Sequence, residues 1–153
     1  MKIKFLNINK LRKVSISEQS KKKNIKNATS ILNYLLKTKY NYLFNWLGIP
    51  VIQLPNDLMV IQELIFEEKP DLILECGIGH GGMLVYFASL LKLMKKQFKI
   101  VGVDVLIRNV NKKKIQSHFL SKHIDLYQFS SVNEKFIQLL GALLYNFCKK
   151  WVT

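Results

Sequence analysis

The side chains best suited to chemistry sit where three apolar runs end. Glu75 closes the run Leu72-Ile-Leu, and Gly77-Ile-Gly-His-Gly-Gly82 follows almost at once. Asp104 closes a second run, Lys99-Ile-Val-Gly-Val, 22 residues after Gly82. Ser130-Ser131 follow a third, His123 to Phe129. Gly77, Gly79, Gly81 and Gly82 let the backbone approach a ligand closely, and a helix starting there offers unpaired N–H groups. A G-x-G-x-x-G string alone is a weak signal, but its place between a strand and a helix strengthens it. A tight turn that serves only helix–strand packing is the alternative, and four glycines in six residues disfavour it. Glu75 can meet an ammonium or a ribose hydroxyl; its bland alternative is a solvated strand end. Asp104 stands about where a ribose-binding acid is expected, and it would repel a 2′-phosphate.

The elements that position these groups follow from pattern. Leu72–Glu75 is short, apolar and bounded by breakers, which suits a central parallel strand covered on both faces. A helix over Met83–Met94 follows, then a strand over Gln97–Asp104, a basic helix over Asn109–His118, a strand over His123–Phe129 and a helix over Asn133–Lys149. Strand and helix alternate as in the βαβαβ half of a doubly wound sheet, whose ligands bind beyond the strand ends. Upstream, a helix over Leu58–Glu68 is expected, capped by Asn56 or Asp57, with Leu58, Ile61, Leu64 and Ile65 as its apolar stripe. Leu43–Leu54 is aromatic and irregular. Ala28–Tyr42 has helical apolar spacing at Ile31, Leu32, Leu35 and Leu36. Met1–Asn27 reads as a basic, mobile or loosely docked arm, leaving residues 28–153 as the partial nucleotide-binding domain. This geometry leaves two cofactors open, a nicotinamide dinucleotide and S-adenosylmethionine.

Composition sets the outer limits. With 153 residues there is room for one domain, and 49% hydrophobic content indicates a chain that buries a core. No apolar run reaches the roughly 18 to 20 residues of a membrane span, and the start lacks a signal-peptide pattern. Cys76 and Cys148 form neither a disulfide framework nor metal-ligand spacing, so a reducing cytoplasm is expected. The net charge of +14 is uneven: residues 1–40 carry +10, residues 41–104 carry −2 and residues 105–153 carry +6. The excess therefore lies mostly outside the glycine unit. A basic arm on nucleic acid or an anionic membrane is one reading, and a solvated Lys- and Asn-rich lead-in is favoured over it. Nothing here has the pattern of a specific nucleic-acid-binding module.

Several separated blocks, in order, carry a family resemblance. They are Trp46-Leu-Gly-Ile-Pro-Val-Ile-Gln-Leu-Pro-Asn-Asp57, Gln62-Glu-Leu-Ile65, Lys69 to Gly82, Gly102-Val-Asp-Val-Leu-Ile-Arg108, His118 and Ser130-Ser131. From about Tyr42 to Ser131 the chain resembles the cephalosporin hydroxylase / rhamnosyl O-methyltransferase family, which has a class I S-adenosylmethionine-dependent methyltransferase fold. The resemblance implies an incomplete Rossmann-like α/β sheet of about three strands. It implies S-adenosyl-L-methionine as cofactor, with Glu75, Gly77, Gly79, Gly81 and Gly82 shaping the methionine side and Asp104 meeting the ribose. Ser130 and Ser131 would border the adenine or the cofactor's edge. A small-molecule acceptor, a sugar or secondary metabolite, is implied as well.

Departures from the family pattern shape the expectations. Met83 stands where the family usually has a serine, and Leu106 replaces the second acid of an Asp-x-Asp-x-Arg block. Later segments that complete the sheet, and in some relatives hold a divalent metal, have no counterpart here, so the chain is expected to be truncated at its C-terminal side. An incomplete sheet would leave an edge open to self-association. The last helix is apolar nearly all round from Phe136 to Phe147 and wants burial on several sides. His80 is expected to contribute backbone only, and His118 and His123 to lie on the surface. Methyl transfer needs positioning more than covalent help, so no catalytic residue and no metal ligand is assigned. Two other readings stand beside the methyltransferase one: a non-catalytic basic protein acting through residues 1–40, and a gene fragment without independent function.

Overall fold

A computed structural model describes residues 8–94 and 97–149. The chain divides into two compact units, Met1–Tyr40 and Asn41–Thr153. In the first, α1 (Ile8–Gln19) and α2 (Lys22–Lys37) are separated by a break at Ser20-Lys21. The Ser20 hydroxyl and the Asn24 amide donate to the Ser17 and Glu18 carbonyls, satisfying groups that the end of α1 leaves open. Helix α2 runs unbroken through position 27, the expected end of the basic arm, because the apolar spacing already begins at Ile25. Residues 1–7 of that arm lie outside the described residues.

The second unit opens on a hairpin that the sequence reading leaves irregular. Strands β1 (Phe44–Trp46) and β2 (Ile49–Val51) pair antiparallel, with Trp46 opposite Ile49. Leu47 and Gly48 turn the chain with both φ values positive, as a two-residue hairpin turn requires. Three-residue strands are too short for alternation to show, and leucine is not a residue that announces such a turn. Helix α3 (Pro55–Glu68) starts at Pro55, whose fixed φ suits a first turn, so neither Asn56 nor Asp57 caps it. Ile65 is buried on α3 while Leu64 is 52% exposed, outside the stripe expected for it.

Three parallel strands follow in the order β3 (Leu72–Cys76), β4 (Lys99–Asp104), β5 (Ile124–Gln128). Helices α4 (Gly82–Leu93) and α5 (Asn109–Gln116) connect them, and α6 (Glu134–Lys149) comes last. The incomplete, Rossmann-like α/β arrangement is the one expected. Strand position differs: β4 is central and β3 lies at an edge, with Leu74 39% exposed. An apolar run of five residues does not by itself distinguish a central strand from an edge strand.

The two sheet faces carry separate cores. Ile100 and the half-buried Ile73 and Leu126 pack with Leu84, Val85, Ala88 and Leu91 of α4 and with Ile115 of α5. On the other face Val101 and Val103 pack with Phe136 of α6, flanked by Tyr127, Phe129, Leu139, Leu140 and Leu143. Ile137, Leu144 and Tyr145 of α6 stay exposed, as a helix that is apolar nearly all round predicts when only one side is covered. Among the described residues no helix is long and apolar enough to cross a membrane.

Candidate functional site

The parallel register assembles the site. Glu75 lies beside Gly102, two residues before Asp104, and Asp104 lies beside Gln128. Because side chains alternate along a strand, Glu75, Asp104 and Gln128 share the α4 face at the C-terminal strand ends. Gly102 is what lets the glycine loop seat there: a Cβ at Gly102 would come within 2.8 Å of Leu84 and 2.9 Å of Ile78. Gly77, Gly79 and Gly81 all have positive φ, a conformation that favours glycine. Gly81 caps α4, and its N–H donates to the Ile78 carbonyl at 2.7 Å. Gly82 lies against the Pro50 carbonyl of β2, where no Cβ would fit.

The loop is tied at both backbone polar groups of one residue, Gly79. The Gly77 N–H donates to the Val103 carbonyl at 2.8 Å, continuing the ladder past β3. The Gly79 N–H donates to Asp104 Oδ2 at 3.4 Å, and the Gly79 carbonyl accepts from Asn111 Nδ2 at 3.0 Å. Asn111, on α5, is the buried polar residue among the described core positions. Asp104 Oδ1 accepts from the Leu106 N–H at 3.1 Å, and Gln128 Oε1 accepts from the Ile107 N–H at 3.3 Å. The segment after β4 is thus held by the same acid that steadies the glycine loop.

A cavity of about 260 Å³ opens between this loop and the hairpin. Glu75, Gly77, Ile78, Gly79, His80, Gly82 and Met83 line one side, and Pro50, Ile52 and Gln53 the other. Its size is below the roughly 300–1,000 Å³ of a whole small-molecule pocket and suits one end of a larger ligand. Glu75 is its unusual group. Burial, and then the nearby Asp104 carboxylate, push its pKa up from 4.5 to about 8. Its buried Oε2 has no hydrogen-bond partner within the protein. An enclosed carboxylate oxygen without a partner is costly unless a cation or donor arrives to pair with it. The first turn of α4 also borders the cavity and presents the positive end of a helix dipole. A group bearing both an ammonium and a carboxylate has a counterpart for each charge here.

The expected residues fall unequally around this cavity. Glu75, Gly77, Gly79 and Gly82 line it, Gly81 is buried behind them, and Asp104 touches the loop through Gly79. Ser130 and Ser131 lie beyond β5, are exposed and are not among the lining residues. Pro50, Ile52, Gln53 and Asn111 were given no role by pattern, since only the folded chain brings a hairpin and a helix 30 residues downstream onto one loop. His80 is among the lining residues. His118 is half-buried at the surface, where its Nε2 lies 3.2 Å from the Leu47 carbonyl and its Nδ1 accepts from the Leu120 N–H at 3.3 Å. His123 stacks on Phe98 at 4.3 Å, and burial with the neighbouring Lys122, Lys92 and Lys99 lowers its pKa. Both histidines are half-buried because each closes a junction between elements, which no local pattern announces. No group of three His, Cys, Asp or Glu among the described residues is placed to hold a metal ion.

The family model described as Rhamnosyl O-methyltransferase/CmcI matches residues 38–150. The Rhamnosyl O-methyltransferase of Mycobacterium leprae (strain TN) is 31% identical over 68 residues, 42% of this chain and 30% of that protein. That of Mycobacterium tuberculosis (strain ATCC 25618 / H37Rv) is 34% identical over 70 residues, 46% of this chain and 27% of that one. Each match takes in less than a third of the relative's length. A solved structure described as CmcI with Mg-SAM has a TM-score of 0.50 and 22% identity, covering 63% of this chain and 40% of the other. It shares the fold. Since the family model spans the hairpin, the glycine loop, both acids and the sheet, the chain belongs to the Rhamnosyl O-methyltransferase/CmcI family.

Proposed function

We propose that the unit Asn41–Thr153 is the cofactor-binding part of an S-adenosyl-L-methionine-dependent O-methyltransferase. Its acceptor would be a small molecule of sugar or secondary-metabolite type, in line with the relatives' names. The observation that carries the reading is Glu75, a half-buried carboxyl whose enclosed Oε2 has no partner within the protein and which lines the same cavity as the first turn of α4. The amino-acid end of the cofactor supplies an ammonium for Glu75 and a carboxylate for the first turn of α4. A dinucleotide would instead bring its pyrophosphate to the same place, against Glu75 and Asp104. That alternative gives Glu75 no cation to pair with and sets like charge against the Asp104 carboxylate.

When bound, the cofactor supplies a sulfonium methyl group. The chain's own residues supply position. Gly79, gripped through both its N–H and its carbonyl, keeps the loop open, and Asp104 retains lone pairs for ribose hydroxyls beyond its two backbone bonds. Ser130 and Ser131 border the far end of the ligand on this reading. Residues 1–40 form a separate basic segment, and a reducing, cytoplasmic setting suits Cys76, a free and exposed thiol. The open edge of β3 is the surface for any self-association.

Titration calorimetry with S-adenosylhomocysteine, in two buffers of different ionisation enthalpy, tests this. Pairing with the ammonium returns Glu75 to its ionised form, so binding at pH 7 releases up to about one proton, and affinity rises with pH toward about 8. Binding of NADH without binding of S-adenosylhomocysteine overturns the reading.

A further inference from the structure

Helix α2 has a surface that methyl transfer does not use. At about 100° per residue, Ile25, Ala28, Ile31, Leu32, Leu35 and Leu36 fall in one arc of roughly 140°. Lys22, Lys23, Lys26 and Lys37 fall in the opposite arc, and the helix contains no acid. The apolar arc is uncovered: Ile25 is 50% exposed, Ile31 61%, Leu32 41% and Leu36 46%, and no residue of α2 is buried. Tyr34, also exposed, lies between the two arcs. Glu18 is the one acid in residues 1–40, and Lys21 already pairs with it at 2.6 Å.

We propose that α2 is an interfacial helix that lies in the plane of an anionic lipid bilayer. Such a helix, roughly 10–12 Å across, sinks about 5–10 Å into the boundary between headgroups and acyl chains. At that depth Ile25, Leu32, Leu35 and Leu36 reach hydrocarbon while the lysines stay level with the headgroup charges. Tyr34 then sits at the interface, where amphipathic rings are favoured. One surface thereby answers both arcs. A nucleic acid would answer only the lysines and leave the apolar arc in water. Asn24 is the polar residue inside the apolar arc, every lysine of the helix lies outside it, and the helix has no acid; this matches interfacial binding, whose strength combines apolar burial with attraction to anionic lipid.

Co-sedimentation of the full chain with vesicles tests this. Vesicles of phosphatidylcholine containing about one third phosphatidylglycerol are expected to bind at least about tenfold more tightly than phosphatidylcholine alone. The double variant Leu32→Asp/Leu36→Asp should lose about tenfold or more of that affinity. Its melting curve should not move, because neither side chain is buried. The triple variant Lys22→Gln/Lys23→Gln/Lys26→Gln should abolish the preference for anionic vesicles without affecting the melt. Vesicle binding unchanged by the leucine substitutions overturns the proposal. So does a chain that ignores vesicles, and one that binds a DNA duplex equally well with and without Leu32 and Leu36 identifies nucleic acid as the partner instead.

Discussion

The two faces of the three-stranded sheet are covered to different depths. On the face toward α4, Leu84, Val85, Ala88, Leu91 and Ile100 are fully enclosed, and the glycine loop is seated by hydrogen bonds from two other elements. On the face toward α6, Val101, Val103 and Phe136 are enclosed, but Leu74 and Cys76 of β3 are exposed, as are Ile137 and Leu144 of α6. The face that shapes the cavity is thus covered over all three strands, while the other covers β3 at Leu72 but leaves Leu74 and Cys76 open. Packing is densest on the face that borders the candidate cavity.

The largest expected effect comes from filling the closest approach on the tight face. In Gly82→Ala the new Cβ would lie 2.7 Å from the Val51 Cα and closer still to the Pro50 carbonyl, both of them backbone. Neither can swing aside as a side chain would. The hairpin must move off the loop, at a cost of about 3 kcal/mol or more, visible as a large drop in the urea midpoint. An unaltered midpoint would mean that the hairpin is not seated on the loop.

A pair of leucines sharpens the contrast next. Leu84→Ala empties a fully enclosed site and should cost about 2–5 kcal/mol. Leu144→Ala removes a side chain that is 46% exposed on α6 and should cost less than about 1 kcal/mol. Equal losses in denaturant titrations would show that the two faces are covered alike.

Glu75→Gln reverses the sign. The folded chain holds Glu75 at a pKa of about 8, against 4.5 for an ordinary glutamate. Between those values the native state binds the extra proton, so stability falls as pH rises through that window and levels off above about 8. The amide cannot ionise, so the variant lacks this slope. Ligand-free Glu75→Gln should match the parent near pH 5 and exceed it by about 1–3 kcal/mol at pH 8.5. Affinity for S-adenosylhomocysteine should fall by about tenfold or more, since a buried charge-assisted contact is lost. A variant destabilised at pH 8.5 would place a partner on Glu75 that the folded chain does not show.

Much of this was legible before folding because its causes are local. Strand runs, the glycine string and the helix periods each depend on neighbours within a few residues, so the βαβαβ order and the loop conformation could be read directly. Asp104 was legible by spacing, since a strand–helix–strand unit has a narrow length. The hairpin was not, because Leu47 is not a turn residue, Gly48 alone is a weak signal, and the strands are three residues long. The roles of Asn111 and His118 were not either: each bridges positions 32 and 71 residues apart in the chain. The edge position of β3 depends on which strands flank it, and the composition of Leu72–Cys76 carries no record of that.

The smallest expected effect lies on the open face. Leu74 is 39% exposed and shares its side of β3 with Cys76, also exposed, so a long side chain there can keep its head in water. Leu74→Lys should therefore change stability by less than about 1 kcal/mol, although leucine-to-lysine in an enclosed strand would be severe. Light scattering decides what the open face does. If β3 pairs with a second copy, a lysine on this exposed edge strand should reduce self-association at unchanged melting temperature, since charge on an edge disfavours strand addition. A melting temperature that collapses would mean that Leu74 is enclosed after all, and that the two faces of the sheet are equally complete.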